Sequence, residues 1–208
     1  MSTAKPDPAR GDRMVREKDQ RSDQTGSSGP ARVVQSRDEL EEWWKDPDPW
    51  GYESTDADHT RRALLLAAIP KRHFLRVLDI GCGNGFVTER LPGDRVVGID
   101  ISSNAIAHAN KRRSPKVSYE CHSLFALPEL GWSEPFDLIV ITGVLYPQYI
   151  GRSERLVYAI IDDLLTQGGN LVSCHIDEWY QTRFPYVTLS REYYTYREYT
   201  HVLEVYAK

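Results

Sequence analysis

The spacing of apolar and polar residues changes near residue 71, and this change divides the chain into two parts. Before it, apolar residues recur at helical spacing in two short stretches. Ser36 and Glu39 form a capping box ahead of the first stretch, and the second ends at Pro70. We therefore predict a helical cover over residues 36–70.

From residue 71 onward, short apolar runs alternate with segments of helical spacing. Helices are predicted to begin near Gly85, at Ser102 or Ser103, and over residues 153–169, where Gly168 is expected to end the helix. Strands are predicted at 76–81, 95–100, 116–123, 136–143 and 170–176, with two more, tightly joined, in 191–208. This alternation predicts an α/β core with a parallel, doubly wound sheet over residues 71–208.

The first 35 residues are rich in charged residues, Ser, Gly and Pro and poor in apolar ones. Such a segment buries too little apolar surface to offset the entropy lost on ordering, so residues 1–35 are predicted to be a disordered tail. The whole chain, of 208 residues, is 40% hydrophobic and 27% charged, which suits one domain with a tail. Its net charge of −4 disfavours a broad nucleic-acid-binding face.

Cysteine usage and apolar runs indicate the compartment. No apolar run reaches the ~18 residues that span a bilayer, and no apolar stretch of a secretory signal is visible near Met1. Cys82, Cys121 and Cys174 are far apart and show no metal-ligand spacing. We therefore expect no membrane segment, no metal site and a reduced, cytoplasmic compartment.

The most informative segment follows the first predicted strand. Gly81, Gly83 and Gly85 have the spacing G-x-G-x-G, whereas a dinucleotide-binding loop has its third glycine one position later. Glycines let a ligand approach the backbone closely, and the preceding Asp79 favours a cationic ligand without phosphate. S-adenosylmethionine has this chemistry, and Asp100, at the end of the second strand, is placed to accept hydrogen bonds from ribose hydroxyls.

The segments DIGCGNG and VVGIDIS resemble the class I S-adenosylmethionine-dependent methyltransferases, over about residues 50–208. The resemblance implies a Rossmann-like, mostly parallel seven-stranded sheet with an antiparallel C-terminal strand. It also implies that the glycine loop holds the methionine part of the cofactor and that Asp100 holds the ribose. The further cofactor contacts that it implies are Asn84 in the loop, Ile101 on the adenine, Ser123 or the backbone of Leu124 at the adenine edge, and Thr142 after strand four.

A narrower similarity links this chain to nodulation-type N-methyltransferases, which methylate an amino sugar. It lies in the DPW segment, in a His at the start of the following helix and in GVLY after the fourth strand. The similarity favours a small-molecule acceptor.

Five side chains are candidates for the acceptor end or a lid. We expect Tyr146 either to orient the acceptor or to be a packed loop tyrosine. We expect His175 either to act as a general base or to point into a helix. His59 binds the acceptor or is a half-buried helix residue. Trp50, with Tyr52, is a lid over the cofactor or packs on the sheet edge. The tyrosines of residues 180–206 are expected to form a sheet surface.

Together these features predict a methyltransferase that modifies nitrogen or oxygen of a small molecule such as an amino sugar or natural product. The segment 141–147 lacks the Asp/Asn-Pro-Pro-Tyr/Phe pattern of enzymes that methylate nucleobase amines, so a nucleic-acid acceptor is disfavoured. The alternatives are a nucleic-acid or protein methyltransferase and a non-catalytic S-adenosylmethionine-binding partner protein. An acceptor cavity plugged by side chains would favour the non-catalytic protein.

Overall fold

The computed structural model describes residues 34–51, 53–112 and 114–208. The predicted tail, apart from its last two residues, and Tyr52 lie outside the described residues. Within the predicted tail, the Gln35 amide donates a hydrogen bond to the carbonyl oxygen of Gln148 at 2.7 Å. The packed part of the chain therefore extends at least one residue before Ser36.

One seven-stranded sheet forms the centre of the molecule. Its strands are β1 (Arg76–Ile80), β2 (Arg95–Asp100), β3 (Val117–Cys121), β4 (Phe136–Thr142), β5 (Leu165–Ile176), β6 (Val187–Tyr196) and β7 (Tyr199–Ala207). They lie in the order β3-β2-β1-β4-β5-β7-β6. Strands β1 to β5 are parallel, and β7 runs antiparallel to both β5 and β6. The predicted α/β fold class, with an antiparallel C-terminal strand, is confirmed.

Helices flank the sheet in the described part of the chain. They are α1 (Arg37–Trp43), α2 (Asp56–Ala68), α3 (Ser103–Ala109), α4 (Pro147–Ile150) and α5 (Glu154–Leu164), with 3-10 segments at Thr88–Arg90, Asn110–Arg112 and Leu124–Leu130. The predicted capping box is present at the start of α1, because Ser36 and Glu39 each accept the other's backbone N–H. At α3 the cap is Ser102, whose hydroxyl accepts the Ala105 amide.

Two predicted helix boundaries are wrong. The helix expected near Gly85 is only a 3-10 turn, because Leu91 precedes Pro92 and is held extended. The helix expected to end at Gly168 ends at Leu164. Strand β5 already begins at Leu165, which pairs with Phe136 in β4, so sheet pairing overrides the glycine stop signal.

The core lies on both faces of the central strands, because neighbouring apolar side chains in β1 and β4 point to opposite faces. Leu78 and Ile139 pack with α5 on one face, while Val77 and Leu138 pack with α2 on the other. This explains why residues 138–141 of β4 form an unbroken apolar run. No helix within the described ranges is both long enough and apolar enough to cross a bilayer.

Candidate active site

A cavity of about 420 Å³ opens at the carboxyl edge of the parallel strands. Sheet order reverses between β1 and β4, and open α/β sheets bind ligands in the crevice at such a point. The volume lies within the range of roughly 300–1,000 Å³ that small-molecule pockets occupy. The wall includes nine of the predicted cofactor residues: Gly81, Gly83, Asn84, Asp100, Ile101, Ser123, Leu124, Thr142 and Trp50.

Backbone shape and neighbouring side chains require glycine at two positions of the loop after β1. Gly81 has φ +78°, and a Cβ there would lie 2.2 Å from a methyl carbon of Val144. Gly83 has φ +54°, and its Cβ would lie 2.8 Å from the indole of Trp44. L residues other than glycine rarely adopt this backbone conformation. At these two positions the loop therefore presents only backbone to the cavity wall.

Two predicted members of the loop site do not line the cavity. Asp79 is only 2% exposed, and its carboxylate accepts a hydrogen bond from the Thr88 hydroxyl at 2.6 Å. Burial raises the pKa of Asp79 to about 7, with the Thr88 hydrogen bond opposing the rise. Gly85 faces Tyr119, whose hydroxyl would lie 2.5 Å from an added Cβ. Both residues therefore support the shape of the loop without lining the cavity.

Asp100 lies at the end of β2 and lines the cavity. One carboxylate oxygen accepts the Gly83 amide at 3.0 Å, and the other accepts the Ser102 amide at 2.9 Å. Burial raises the pKa of Asp100, and these two hydrogen bonds oppose that rise. Each oxygen keeps a second lone pair, so the carboxylate can also accept donors from a ligand. The glycine backbone beside this carboxylate fits a ligand with an ammonium group and ribose hydroxyls.

Glu41 of the predicted cover fastens α1 to the start of α3. Its carboxylate accepts hydrogen bonds from the Ser102 hydroxyl at 2.7 Å, the Ser103 amide and hydroxyl at 2.8 and 2.9 Å, and the Asn104 amide at 3.1 Å. Burial alone would raise the pKa of Glu41, but these hydrogen bonds outweigh it and hold the pKa at about 2. The carboxylate therefore caps α3 from another helix.

Three tryptophans of the cover pack together over the cofactor end. The ring centroid of Trp50 lies 5.9 Å from that of Trp43 and 5.1 Å from that of Trp44, both edge to face. All three line the cavity, so Trp50 is on the wall. The Asn84 amide group donates to the Pro47 carbonyl at 3.0 Å, which ties the loop before α2 to the glycine loop.

The structure separates the three candidate catalytic residues. Tyr146 lines the cavity, and its hydroxyl accepts the Ile176 amide at 2.9 Å. His175 is only 1% exposed and lies off the cavity wall, with its ring edge-on to Tyr180 at 4.9 Å. Burial is the largest cause that lowers the pKa of His175, to about 4. His59 is exposed, lies off the wall, and its ring contacts the Glu53 carbonyl at 3.3 Å.

The far wall of the cavity also includes residues that the sequence analysis did not name as candidates for the site. Tyr196, Arg197, Tyr199 and His201, from the ends of β6 and β7 and the turn between them, all line it. Because β7 is antiparallel to β5, the start of β7 lies at the carboxyl end of β5, where His201 pairs with Ile176. An antiparallel last strand is thus the signal that could have placed this hairpin at the ligand edge.

Burial and the nearby guanidinium groups of Arg61 and Arg197 lower the pKa of His201 to about 4, so its imidazole is neutral at pH 7. Within the part of the chain that the structure describes, the His201 Nδ1 atom is buried without a hydrogen-bond partner. Among the same residues, no cluster of three or more His, Cys, Asp or Glu side chains could hold a metal ion.

Comparison with known proteins gives consistent matches. Residues 72–204 match a family described as "Methyltransferase domain". Trans-aconitate 2-methyltransferase of Rhizobium etli is 33% identical over 130 residues, 58% of this chain and 46% of that protein. Malonyl-(acyl-carrier protein) O-methyltransferase of Bacillus cereus is 25% identical over 128 residues, 59% of this chain and 46% of that protein. The chain thus spans about half the length of these curated relatives.

Among solved structures, the N-methyltransferase NodS from Bradyrhizobium japonicum, in complex with S-adenosyl-L-homocysteine, superposes with a TM-score of 0.71. It is 24% identical, and the match covers 82% of this chain and 96% of NodS. The two proteins share a fold.

Proposed function

The chain belongs to the methyltransferase domain family, and from this membership we propose that it transfers a methyl group from S-adenosylmethionine to a small-molecule acceptor, at nitrogen or oxygen. The membership and the class I fold agree with the family recognised in the sequence. One observation carries the proposal: a single cavity joins the glycine loop and Asp100 to a second wall of aromatic and basic side chains. The name of trans-aconitate 2-methyltransferase, a relative, supports a small acceptor.

The cofactor end of the cavity would hold S-adenosylmethionine through residues already on its wall. The backbone of Gly81 and Gly83 would lie against the methionine part, Asp100 would accept from the ribose hydroxyls, and Ile101 and Leu124 would offer apolar surface to the adenine. When bound, the cofactor supplies a methyl group on a sulfonium sulfur. The tryptophans of the cover, which line this end, would shield the bound cofactor from water.

The far wall would orient the acceptor. The hydrogen bond from the Ile176 amide fixes the ring of Tyr146 against this end. His201, which lines this wall and has a neutral imidazole, takes the role of general base that the sequence analysis proposed for His175. A hydroxyl acceptor needs such a base, whereas a neutral amine already offers its lone pair. Positioning supplies much of the remaining acceleration.

Cofactor binding tests the first half of the proposal. Isothermal titration calorimetry should give a micromolar dissociation constant for S-adenosylmethionine. Asp100→Ala should weaken it at least tenfold, about 1.4 kcal/mol, through lost ribose hydrogen bonds. Asp94→Ala is the control, since this 56%-exposed carboxylate lies near the other end of β2 and should leave affinity unchanged. Folded wild-type protein that binds neither S-adenosylmethionine nor S-adenosylhomocysteine would refute the proposal.

Turnover tests the second half. Formation of S-adenosylhomocysteine should be followed with a panel of small amines and hydroxyl compounds. With a hydroxyl acceptor, His201→Gln should lower kcat by ~10²-fold and leave cofactor affinity intact, while an amine acceptor should lose far less. An equal loss of kcat on hydroxyl and amine acceptors would show that His201 is not the general base.

A further inference from the structure

Four aromatic side chains follow one another along the wall at the acceptor end of the cavity. They are, in order, Tyr149, Tyr146, Trp179 and Tyr199, and all four line the cavity. The distances between successive ring centroids are 6.1, 5.2 and 5.0 Å. The ring of Trp179 meets both of its neighbours edge to face, with interplanar angles of 77° and 65°. We call this connected set the aromatic row.

The aromatic row is assembled by three separate elements of the fold. Tyr146 is the N-cap of α4, and Tyr149 lies within that helix. Trp179 follows the end of β5, and Tyr199 is the first residue of β7. The Tyr146 hydroxyl accepts the Ile176 amide at 2.9 Å, and the Trp179 amide donates to the Ile176 carbonyl at 3.2 Å. A surface fixed in this way loses little further conformational entropy when a ligand binds to it.

The histidine at the same end of the cavity shows how this environment acts on a positive charge. The pKa of His201 is lowered to about 4. Burial is the largest cause, Arg61 and Arg197 add to it, and Glu178 opposes it. Burial disfavours the charged form of any group, so a cationic acceptor would meet the same desolvation cost there. The acceptor end therefore suits a neutral group better than a cationic one.

A ring that is itself aromatic gains most from such a wall. Aromatic pairs attract one another in offset-stacked or edge-to-face arrangements, at centroid distances of roughly 4.5–7 Å, beyond what their buried area contributes. A saturated ring of similar size buries similar area but lacks the charge distribution of a π system. The aromatic row therefore discriminates between two acceptors of nearly the same shape.

We infer that the acceptor carries a neutral aromatic ring, which packs against Trp179 and its neighbours in the aromatic row while a nitrogen or oxygen substituent faces the cofactor end. Trp179 and Tyr199 are thus specificity-determining residues. This inference rests on the proposed function and narrows its acceptor class.

The test uses matched pairs of an aromatic compound and its saturated counterpart: benzyl alcohol and cyclohexylmethanol, 2-naphthylmethanol and its decahydro form, benzamide and cyclohexanecarboxamide. The polar group is the same within each pair, so a difference in affinity reports the ring. Calorimetry on protein saturated with S-adenosylhomocysteine should show at least one aromatic member binding about tenfold tighter than its partner, which is the effect of two aromatic contacts.

Variants of the aromatic row test which residue provides this preference. Trp179→Leu keeps an apolar side chain but removes the ring, and it should reduce the preference below about threefold. Trp179→Phe, which restores a ring, should retain most of it. Tyr193→Leu is the matched control and should retain all of it, since this tyrosine of β6 is 54% exposed and lies off the cavity wall.

The same titrations separate the two proposals. If folded wild-type protein does not bind S-adenosylhomocysteine, the proposed function fails. If it binds S-adenosylhomocysteine but no aromatic compound binds tighter than its saturated partner, the inference of an aromatic acceptor alone is overturned. Glucosamine or choline binding tighter than every aromatic compound would also overturn it, in favour of an amino sugar or a cation. So would a preference unchanged in Trp179→Leu, and Tyr199→Leu decides in the same way should Trp179→Leu fail to fold.

Discussion

The substitution Glu41→Gln tests how the helical cover is attached. The carboxylate of Glu41 accepts four hydrogen bonds at the start of α3, where backbone N–H groups lack partners within the helix. Glutamine keeps one oxygen but loses the charge and the second acceptor. We expect the variant to fold and to have a lower free energy of unfolding at pH 7.

The size of the loss follows from the pKa. The folded state holds the pKa of Glu41 at about 2, against an ordinary value of 4.5, and this difference corresponds to at most about 3 kcal/mol. The side chain is 21% exposed and solvent screens part of the interaction, so we expect about 1–2 kcal/mol, which is also the usual effect of removing a cap. Because the folded pKa is the lower one, this stabilisation is complete above pH 4.5 and disappears as the pH falls towards 2.

Urea unfolding followed by tryptophan fluorescence measures the difference at pH 7 and at several values down to about pH 3. Glu42→Gln is the matched control, since Glu42 lies on the same helix, is 67% exposed and pairs with the exposed Lys45. It should change stability by less than about 0.5 kcal/mol. Equal effects of the two substitutions, or a Glu41→Gln effect that stays constant below pH 4.5, would refute the reasoning.

Three further predictions concern residues placed by the structure. His175→Ala should lower the free energy of unfolding by about 2–4 kcal/mol, because it removes a buried ring packed on Tyr180, yet turnover per folded molecule should stay within about threefold of wild type. Gly81→Ala should destabilise the protein by at least about 1 kcal/mol and weaken cofactor binding, since its Cβ would collide with Val144; thermal melting and calorimetry measure both. Tyr146→Phe should melt at a lower temperature, because the buried Ile176 amide loses its acceptor.

The parts of the fold that local sequence determines were predicted. Buried parallel strands appear in the sequence as apolar runs, and this pattern predicted β1, β2 and β4. The glycine spacing lies within ten residues, so the loop between Asp79 and Gly85 was also predicted. The end of α5 was not, because its boundary depends on Leu165 pairing with Phe136 in another strand. The position of a glycine along the chain carries no information about this pairing between strands.

The acceptor wall escaped prediction for a similar reason. His175 and His201 both lie on strands near the carboxyl edge, and alternation along one strand does not reveal which side chain faces a cavity. The pairing of Ile176 with His201 determines which of the two histidines faces the cavity, and this pairing joins residues far apart in sequence. Tyr196 and Tyr199 look like ordinary strand tyrosines until the hairpin between β6 and β7 is placed.

The attachment of α1 also has a kinetic consequence. Leu40, Trp43 and Trp44 of this segment form part of the cavity wall, so the cofactor end is enclosed while α1 remains attached. The Glu41 hydrogen bonds alone contribute about 1–2 kcal/mol to this attachment, which favours the enclosed arrangement over the open one by a factor of roughly 5 to 30. Spent cofactor would then leave from a minor open population. We therefore expect Glu41→Gln to release it faster than the wild-type protein, by up to the same factor, which rapid-mixing displacement of S-adenosylhomocysteine measures.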